Sequence, residues 1–262
     1  MITVDNITIE QAAQPDHYSI AVRSDIGDRE QQQDQAYLNV NGDCVFTAVC
    51  DGMGGALDGE VASKAAVSAM RCAYADFLLD KNSDVPAFLY QAMAAADRAV
   101  ASKMTRGVGG TTLVSAIIWG SRMYWVSVGD SRLYVARSGQ ILQATRDHNY
   151  YLRLNEMLKR GALSPDLYEK ESERGAALIS YLGKGSITLY DLTRSAFDLQ
   201  RGDTVLLTTD GLPRALSDQK LCEIMTSEVP TNQKADRLIS QIRDAGVAGP
   251  RDNATLVIID VI

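Results

Sequence analysis

Five aspartates of this 262-residue chain stand at the ends of apolar runs. Asp51 follows "VFTAVC", Asp130 follows "YWVSVG" and Asp210 follows "VLLTT", while Asp34 precedes "QAYLNV" and Asp252 precedes "NATLVIID". If these runs are strands whose ends meet at one edge of a core, four or five carboxylates converge. At ~5 Å and an effective dielectric of ~20, each like-charge pair costs on the order of 3 kcal/mol, so such a cluster must be protonated, spread apart or filled with cations. Oxygen ligands without accompanying histidine or cysteine suit Mg2+ or Mn2+ better than zinc. The only histidines are His17 and His148, which leaves no histidine-rich zinc site.

The stretch "AVCDGMGGALDGE" carries more glycine than a turn needs. Asp-Gly alone reverses a strand, and taken singly "DGMGG" and "TDGL" each read as a turn. Asp51, Asp130 and Asp210 at the same end of successive apolar runs read as a site. Backbone that must approach a cation or an oxyanion needs side chains out of the way. Gly52 could offer its carbonyl, and Gly54 and Gly55 would let the following segment pass closely.

The elements that must position these residues follow from periodicity. "CVFTAVC" has strand length and is almost continuously apolar, and "GTTLVSAIIWG", "RMYWVSVGD" and "SRLYVARSG" read as an antiparallel meander punctuated by "GS" and "GDS". "DTVLLTTD" and "NATLVIIDVI" supply two more buried strands. Helical spacing marks "GEVASKAAVSAMRCAYADFLL" and "DVPAFLYQAMAAADRAVASKM", the second with Asp84 as N-cap and Pro86 in its first turn, paired through "DKNSD". Shorter helices are expected at "YYLRLNEMLKRG", "SDQKLCEIM" and "TNQKADRLISQIRDAG", the last two capped by Ser217 and Thr231 and the third stopped at Gly246. Runs of strands with paired helices make an α+β body with a mainly antiparallel core. Trp119, Trp125, Met70, Met93 and Met104 are expected in that core.

Composition bounds the rest. With 46% hydrophobic residues and no linker, repeat or composition break, residues 1–262 read as one domain. The formal charge of −7 argues against nucleic-acid binding through phosphates, although bound cations would let an acidic protein handle a phosphorylated substrate. No leader and no membrane-spanning run is seen, so a cytoplasmic, monomeric protein without a membrane partner is expected. Cys44, Cys50, Cys72 and Cys222 read as reduced and mostly buried. None has arginine six positions on, which excludes a thiolate phosphatase loop of the Cys-x5-Arg kind, and "LGKGS" is not a P-loop.

The ordered series "DGMGGALDGEVAS", "GGTTL", "VSVGDSRLY", "TRDHN", "TTDGL" and "RDNATLVIIDV" resembles the metal-dependent type 2C protein serine/threonine phosphatases, the PPM family, in their bacterial form. The resemblance runs from about Ser24 to Val261. It implies a four-layer sandwich of two mainly antiparallel β-sheets flanked by paired antiparallel α-helices, with two or three Mg2+ or Mn2+ ions at one end. By resemblance Asp51 bridges the two ions, Gly52 joins the second through its carbonyl, Asp210 and Asp252 complete the first site, and Asp130 serves a third, weaker ion. Arg29 matches the arginine that grips substrate phosphate, and Arg29, Asp34 and Asp51 are the residues it places in catalysis. Asp34 and Gln33 stand behind the ions or touch them weakly. The implied activity is hydrolysis of phosphoserine and phosphothreonine by a metal-activated water, and the implied partners are phosphoproteins of a serine/threonine kinase.

Two departures from the family pattern R-x-x-N-x-D lie in "REQQQD", where Gln32 and Gln33 replace asparagine and glutamate. Gln33 brings an oxygen without charge, so weaker affinity at the second metal is expected. A catalytically weak or inactive binding module on the same fold is the alternative that these glutamines favour. The segment 148–185 stands where the family has a flap. There Tyr150, Tyr151, Tyr168 and Lys159 are available to a phosphopeptide, while Asp147 and His148 read as structural hydrogen-bonders.

Overall fold

The computed structural model of the protein describes residues 1–4, 6–11, 17–54, 58–78, 84–104, 109–244 and 249–262. In chain order its first half gives β1 (Ile2–Val4), β2 (Ile7–Gln11), β3 (Tyr18–Asp25), β4 (Asp34–Asn41), β5 (Cys44–Met53), α1 (Asp58–Phe77) and α2 (Val85–Lys103). Then come β6 (Gly110–Thr111), β7 (Leu113–Trp119), β8 (Arg122–Val128), β9 (Arg132–Arg137), β10 (Gln140–Gln143), α3 (Tyr150–Lys159) and α4 (Pro165–Ser172). The remainder is β11 (Asp191–Leu192), β12 (Phe197–Asp198), β13 (Thr204–Thr208), α5 (Gly211–Ala215), α6 (Asp218–Met225), α7 (Thr231–Asp244) and β14 (Ala254–Val261). One sheet has the order β1-β2-β4-β5-β7-β8-β11, with β6 on β5 and β12 on β8, and the other has the order β10-β9-β13-β14-β3. All strand pairs are antiparallel except β2 with β4.

Strand β5 shows why its sequence is apolar on both faces. Successive side chains point to opposite sides, and Phe46, Ala48 and Cys50 pack under α1 and α2 while Val45 and Val49 face the second sheet. Three cores follow from this arrangement: helices α1 and α2 on the first sheet, sheet on sheet, and α5, α6 and α7 on the second sheet. In α1 the buried line Ala62, Ala66, Met70 and Tyr74 keeps i, i+4 spacing, its two alanines sitting against the sheet and Tyr74 stacking on Phe46 with centroids 4.3 Å apart.

The expected meander divides. Strands β7 and β8 pair, but β9 lies in the other sheet between β10 and β13. Gly129, at φ +99°, makes the bend between them, in a conformation that side chains rarely adopt, and a Cβ there would press on Thr112 at 2.6 Å. A local pattern of strand, turn, strand cannot distinguish a hairpin from a crossing between sheets.

Helix starts hold in part. Ser217 caps α6 by accepting from the Lys220 amide, and Asp84 takes the N-cap position of α2 without a side-chain bond. Thr231 is instead the first residue of α7, its hydroxyl donating to Asp260 at 2.6 Å. Gly55, the linking residues 80–83 and Gly246 lie outside the described residues. Met70, Met93 and Met104 are buried, but Trp119, at the end of β7, is 47% exposed and meets only the edge of the core through Phe77. The cysteines are free, Cys44 and Cys50 buried and Cys72 exposed on α1, so they are not mostly buried as expected. No helix among the described residues is long and apolar enough to cross a membrane.

Candidate active site

Antiparallel pairing gathers the acids at one end of the sandwich. In the first sheet Asp34 opens β4 directly opposite Asp51 near the close of β5. In the second, Asp210 follows β13, Asp130 precedes β9 and Asp252 precedes β14, and those three strands are neighbours. Hydrogen bonds tie the two sheets together at this end. Thr209 donates to Asp34 Oδ2 at 2.9 Å, and the Gln33 amide donates to Asn253 Oδ1 at 2.8 Å. Thr112 accepts from the Asp51 amide at 2.9 Å and bonds Ser131 at 2.6 Å, fixing β5 to the turn that carries Asp130.

A cleft of 260 Å³ opens there, lined by Asp51, Asp130, Asp210 and Asp252 with Arg29, Gln33 and Gly52. Asp34 is fully buried behind it. Gly52 admits no side chain, since a Cβ would stand 2.1 Å from the Gly59 carbonyl oxygen, so β5 and the start of α1 meet backbone to backbone. That contact supplies a physical reason for Gly52 and Gly59. Gly54, at φ +134°, adopts a backbone reserved for glycine.

Electrostatics are those of an anionic pocket that its arginines compensate only in part. Burial and then Asp34, Asp210, Asp130 and Asp252 push the Asp51 carboxyl well above the usual range. Burial raises Asp34 to about 7 against the opposing bond from Thr209, with Asp210 and Asp252 adding to the rise. Burial, Asp210 and Asp147 raise Asp130 to about 7 as well. Asp210 is raised by burial despite the cation beside it, Arg214.

Arg214 is the residue that sequence reasoning missed. It lies one helical turn beyond Asp210, pairs with that carboxylate and reaches Asp252 Oδ2 at 3.3 Å. Arg29 Nη2 holds the same Asp252 oxygen at 2.9 Å. The i, i+4 spacing of Asp210 and Arg214 in "TDGLPRA" was the available signal. Among the described residues, no three His, Cys, Asp or Glu side chains are spaced to close on one ion without adjustment, and two guanidinium groups stand among the acids instead. Yet Asp34 Oδ1 and Asp210 Oδ1 are buried without a hydrogen-bond partner. Orphaned carboxylate oxygens with raised pKa values fit a hard divalent cation.

The remaining candidates take supporting places. Gln32 accepts from the Asp34 amide at 3.0 Å and donates to Ser24 at 3.0 Å, so it shapes the turn before β4. Asp147 grips Arg132 through two bonds of 2.8 and 2.6 Å, and buried His148 accepts at Nδ1 from the Gly129 amide. Both brace the turn that carries Asp130. In segment 148–185, Tyr150 bonds Glu171 and Tyr168 bonds Asn155, tying α3 to α4, and it is Ala176 and Leu178 that border the cleft.

Comparison with known proteins places this arrangement. The sequence model of the protein phosphatase 2C family matches residues 23–245. The chain is similar to protein phosphatase PhpP of Streptococcus pneumoniae, with 30% identity over 249 residues covering 92% of this chain and 97% of the relative. It is equally similar, at 30% identity over 249 residues, to serine/threonine protein phosphatase PstP of Mycobacterium tuberculosis, covering 92% of this chain but 45% of that longer protein. Among solved structures, the catalytic domain of PstP in complex with two manganese ions superposes with a TM-score of 0.73 at 30% identity, covering 94% of this chain and 99% of that one.

Proposed function

Because the chain belongs to the protein phosphatase 2C family and is a protein serine/threonine phosphatase, we propose that it hydrolyses phosphoserine and phosphothreonine with a water activated at a two-ion Mg2+ or Mn2+ centre. The observation that carries this reading is the meeting of Asp34, Asp51, Asp130, Asp210 and Asp252 from both sheets beside a half-exposed arginine, Arg29. When bound, a pair of divalent ions lowers the pKa of a shared water toward neutrality and neutralises the phosphoryl oxygens. Asp51, Asp210, Asp252 and the Gly52 carbonyl would hold them, with Asp130 beside them in the cleft and Gln33 available to a weak contact.

The chain's own residues do the rest. Arg29, once its hold on Asp252 is given up, presents a planar fork to two phosphoryl oxygens and fixes the ester in line for attack. Asp34 Oδ1, buried and unpartnered, is the acceptor available for a proton as the nucleophile forms. Water adds to phosphorus as the bond to the serine or threonine oxygen breaks, the proton given up by the water passes to that oxygen so that it leaves as the alcohol, and no phosphoenzyme is formed. Residues 1–262 act in this reading as a single catalytic domain, in the cytoplasm, on phosphoproteins made by a serine/threonine kinase.

Hydrolysis of p-nitrophenyl phosphate and of a phosphothreonine peptide by purified protein is expected to require added Mn2+ or Mg2+ and to vanish in EDTA. Folded protein that binds Mn2+ yet turns over neither substrate would instead favour the alternative of a phosphatase-shaped binding module, to which the uncharged Gln33 lends support. A second expectation concerns that residue directly. Gln33→Glu adds a carboxylate at the cleft wall and is expected to lower the Mn2+ dissociation constant about tenfold, a gain of ~1.4 kcal/mol. Isothermal titration of both proteins checks it, and equal affinities would refute it.

A further inference from the structure

Arg214 belongs to the cleft wall more firmly than an exposed arginine ordinarily would. It sits on α5, a single turn of helix whose first residue, Gly211, packs so closely on the Asn253 carbonyl that a Cβ would stand 2.1 Å from that oxygen. The helix is therefore seated directly on the segment that carries Asp252, and it carries Arg214 to the rim of the acid cluster. There Arg214 pairs with Asp210 and reaches Asp252, and it borders the same cleft as Asp51 and Asp130. Arg29, by comparison, has an ion pair with Asp252 alone among the described residues.

We propose that Arg214 is the resident cation of the acid cluster, its guanidinium taking the place of one divalent ion on the side bounded by Asp130, Asp210 and Asp252. This rests on the metal-centre reading given above. The charge count supports it. Five carboxylates and two guanidinium groups leave the ionised site at about −3, and two divalent ions bring it to about +1, which an incoming phosphate ester dianion returns to about −1. A third ion beside Arg214 would meet a site already positive. A guanidinium keeps its charge at every working pH and needs no free metal to supply it. The chain thus carries part of its counter-charge covalently.

Equilibrium dialysis against Mn2+ tests this with wild type, Arg214→Gln and Arg214→Lys, each checked for folding by thermal melting. The Gln variant, which loses the charge, is expected to bind one more ion per chain than wild type at the same free Mn2+, while the Lys variant keeps the wild-type number. Equal numbers in wild type and Arg214→Gln, with binding retained, would overturn the inference and leave the phosphatase reading standing. A Lys variant that also gains an ion would overturn it too. Absence of Mn2+ binding in every protein would sink the metal centre and this inference together.

Discussion

Asp51→Asn is expected to lower Mn2+-dependent turnover of p-nitrophenyl phosphate by about a thousandfold, the scale reached when one preorganised charged group is removed from a water-poor site. Asp51 is the acid on which the others converge electrostatically, since Asp34, Asp210, Asp130 and Asp252 all raise its pKa. The replacement changes one oxygen to an amide on a strand held by Thr112 and by pairing with β4, so the backbone has no cause to move. A second readout separates chemistry from folding. Removing one member of a crowd of like charges relieves repulsion, so the metal-free variant should melt at the same temperature as wild type or higher. Turnover within tenfold of wild type would remove Asp51 from the centre of the site. Loss of turnover with a fall in metal-free melting temperature would show that the residue holds the fold instead.

Stability of the metal-free protein is expected to fall as the pH rises from about 4 to about 7. The sign follows from proton counts. Asp34 and Asp130 are raised to about 7, first by burial and then by neighbouring acids, whereas in the unfolded chain they titrate at ~3.9. Between those values the folded state holds protons that the unfolded state has released, so each step up in pH favours unfolding. Full stability from these groups is present below about pH 4, and their loss is complete above about pH 7. Asp191 is a carboxylate of the opposite kind. Burial would raise it, but His148, whose Nε2 stands 3.5 Å away, and the hydrogen bonds donated by Arg146 hold it well below the usual range. Its contribution is lost only as the medium becomes more acid than ~3.9, outside this window.

Each of the two groups loses ~2.6 kcal/mol between pH 5 and pH 8, a net loss on the order of 5 kcal/mol that corresponds to roughly 10–20 °C for a chain of this size. Melting curves in EDTA at pH 5 and pH 8 should differ by that amount. Saturating Mn2+ should raise the melting temperature more at pH 8 than at pH 5, because the ligands must be ionised to bind. A metal-free protein that is equally stable at both values would show that the five acids do not repel one another as their placement requires.

Much of this site was legible before the fold was known, and the reason is local. Asp51 and Asp210 each end a run of buried β residues, and a carboxylate at that point must leave the core, so strand ends and acids coincide in sequence as they do in space. The face of α1 was likewise written in the spacing of Ala62, Ala66, Met70 and Tyr74. What could not be read depends on partners distant in the chain. The placement of β9 in the second sheet turns on its register with β13, some seventy residues on, and on one bend at Gly129. The parallel seat of β2 beside β4 has no local signature either. Arg214 was overlooked because a short helix after a turn leaves too few residues for periodicity to speak. Trp119 and Cys72 show the converse error: an apolar residue in a periodic run still ends up in solvent when the run reaches the edge of its layer or turns to its outer face.

Strand β14 occupies an inner position of the second sheet, between β13 and β3, and carries Asp252 at its threshold. During translation Asp34 therefore leaves the ribosome long before its companion exists. At ~5–20 residues per second the interval is roughly ten to forty seconds. The acid cluster is therefore complete only once residues as far along the chain as Asp252 have been made and β14 has been seated between β13 and β3.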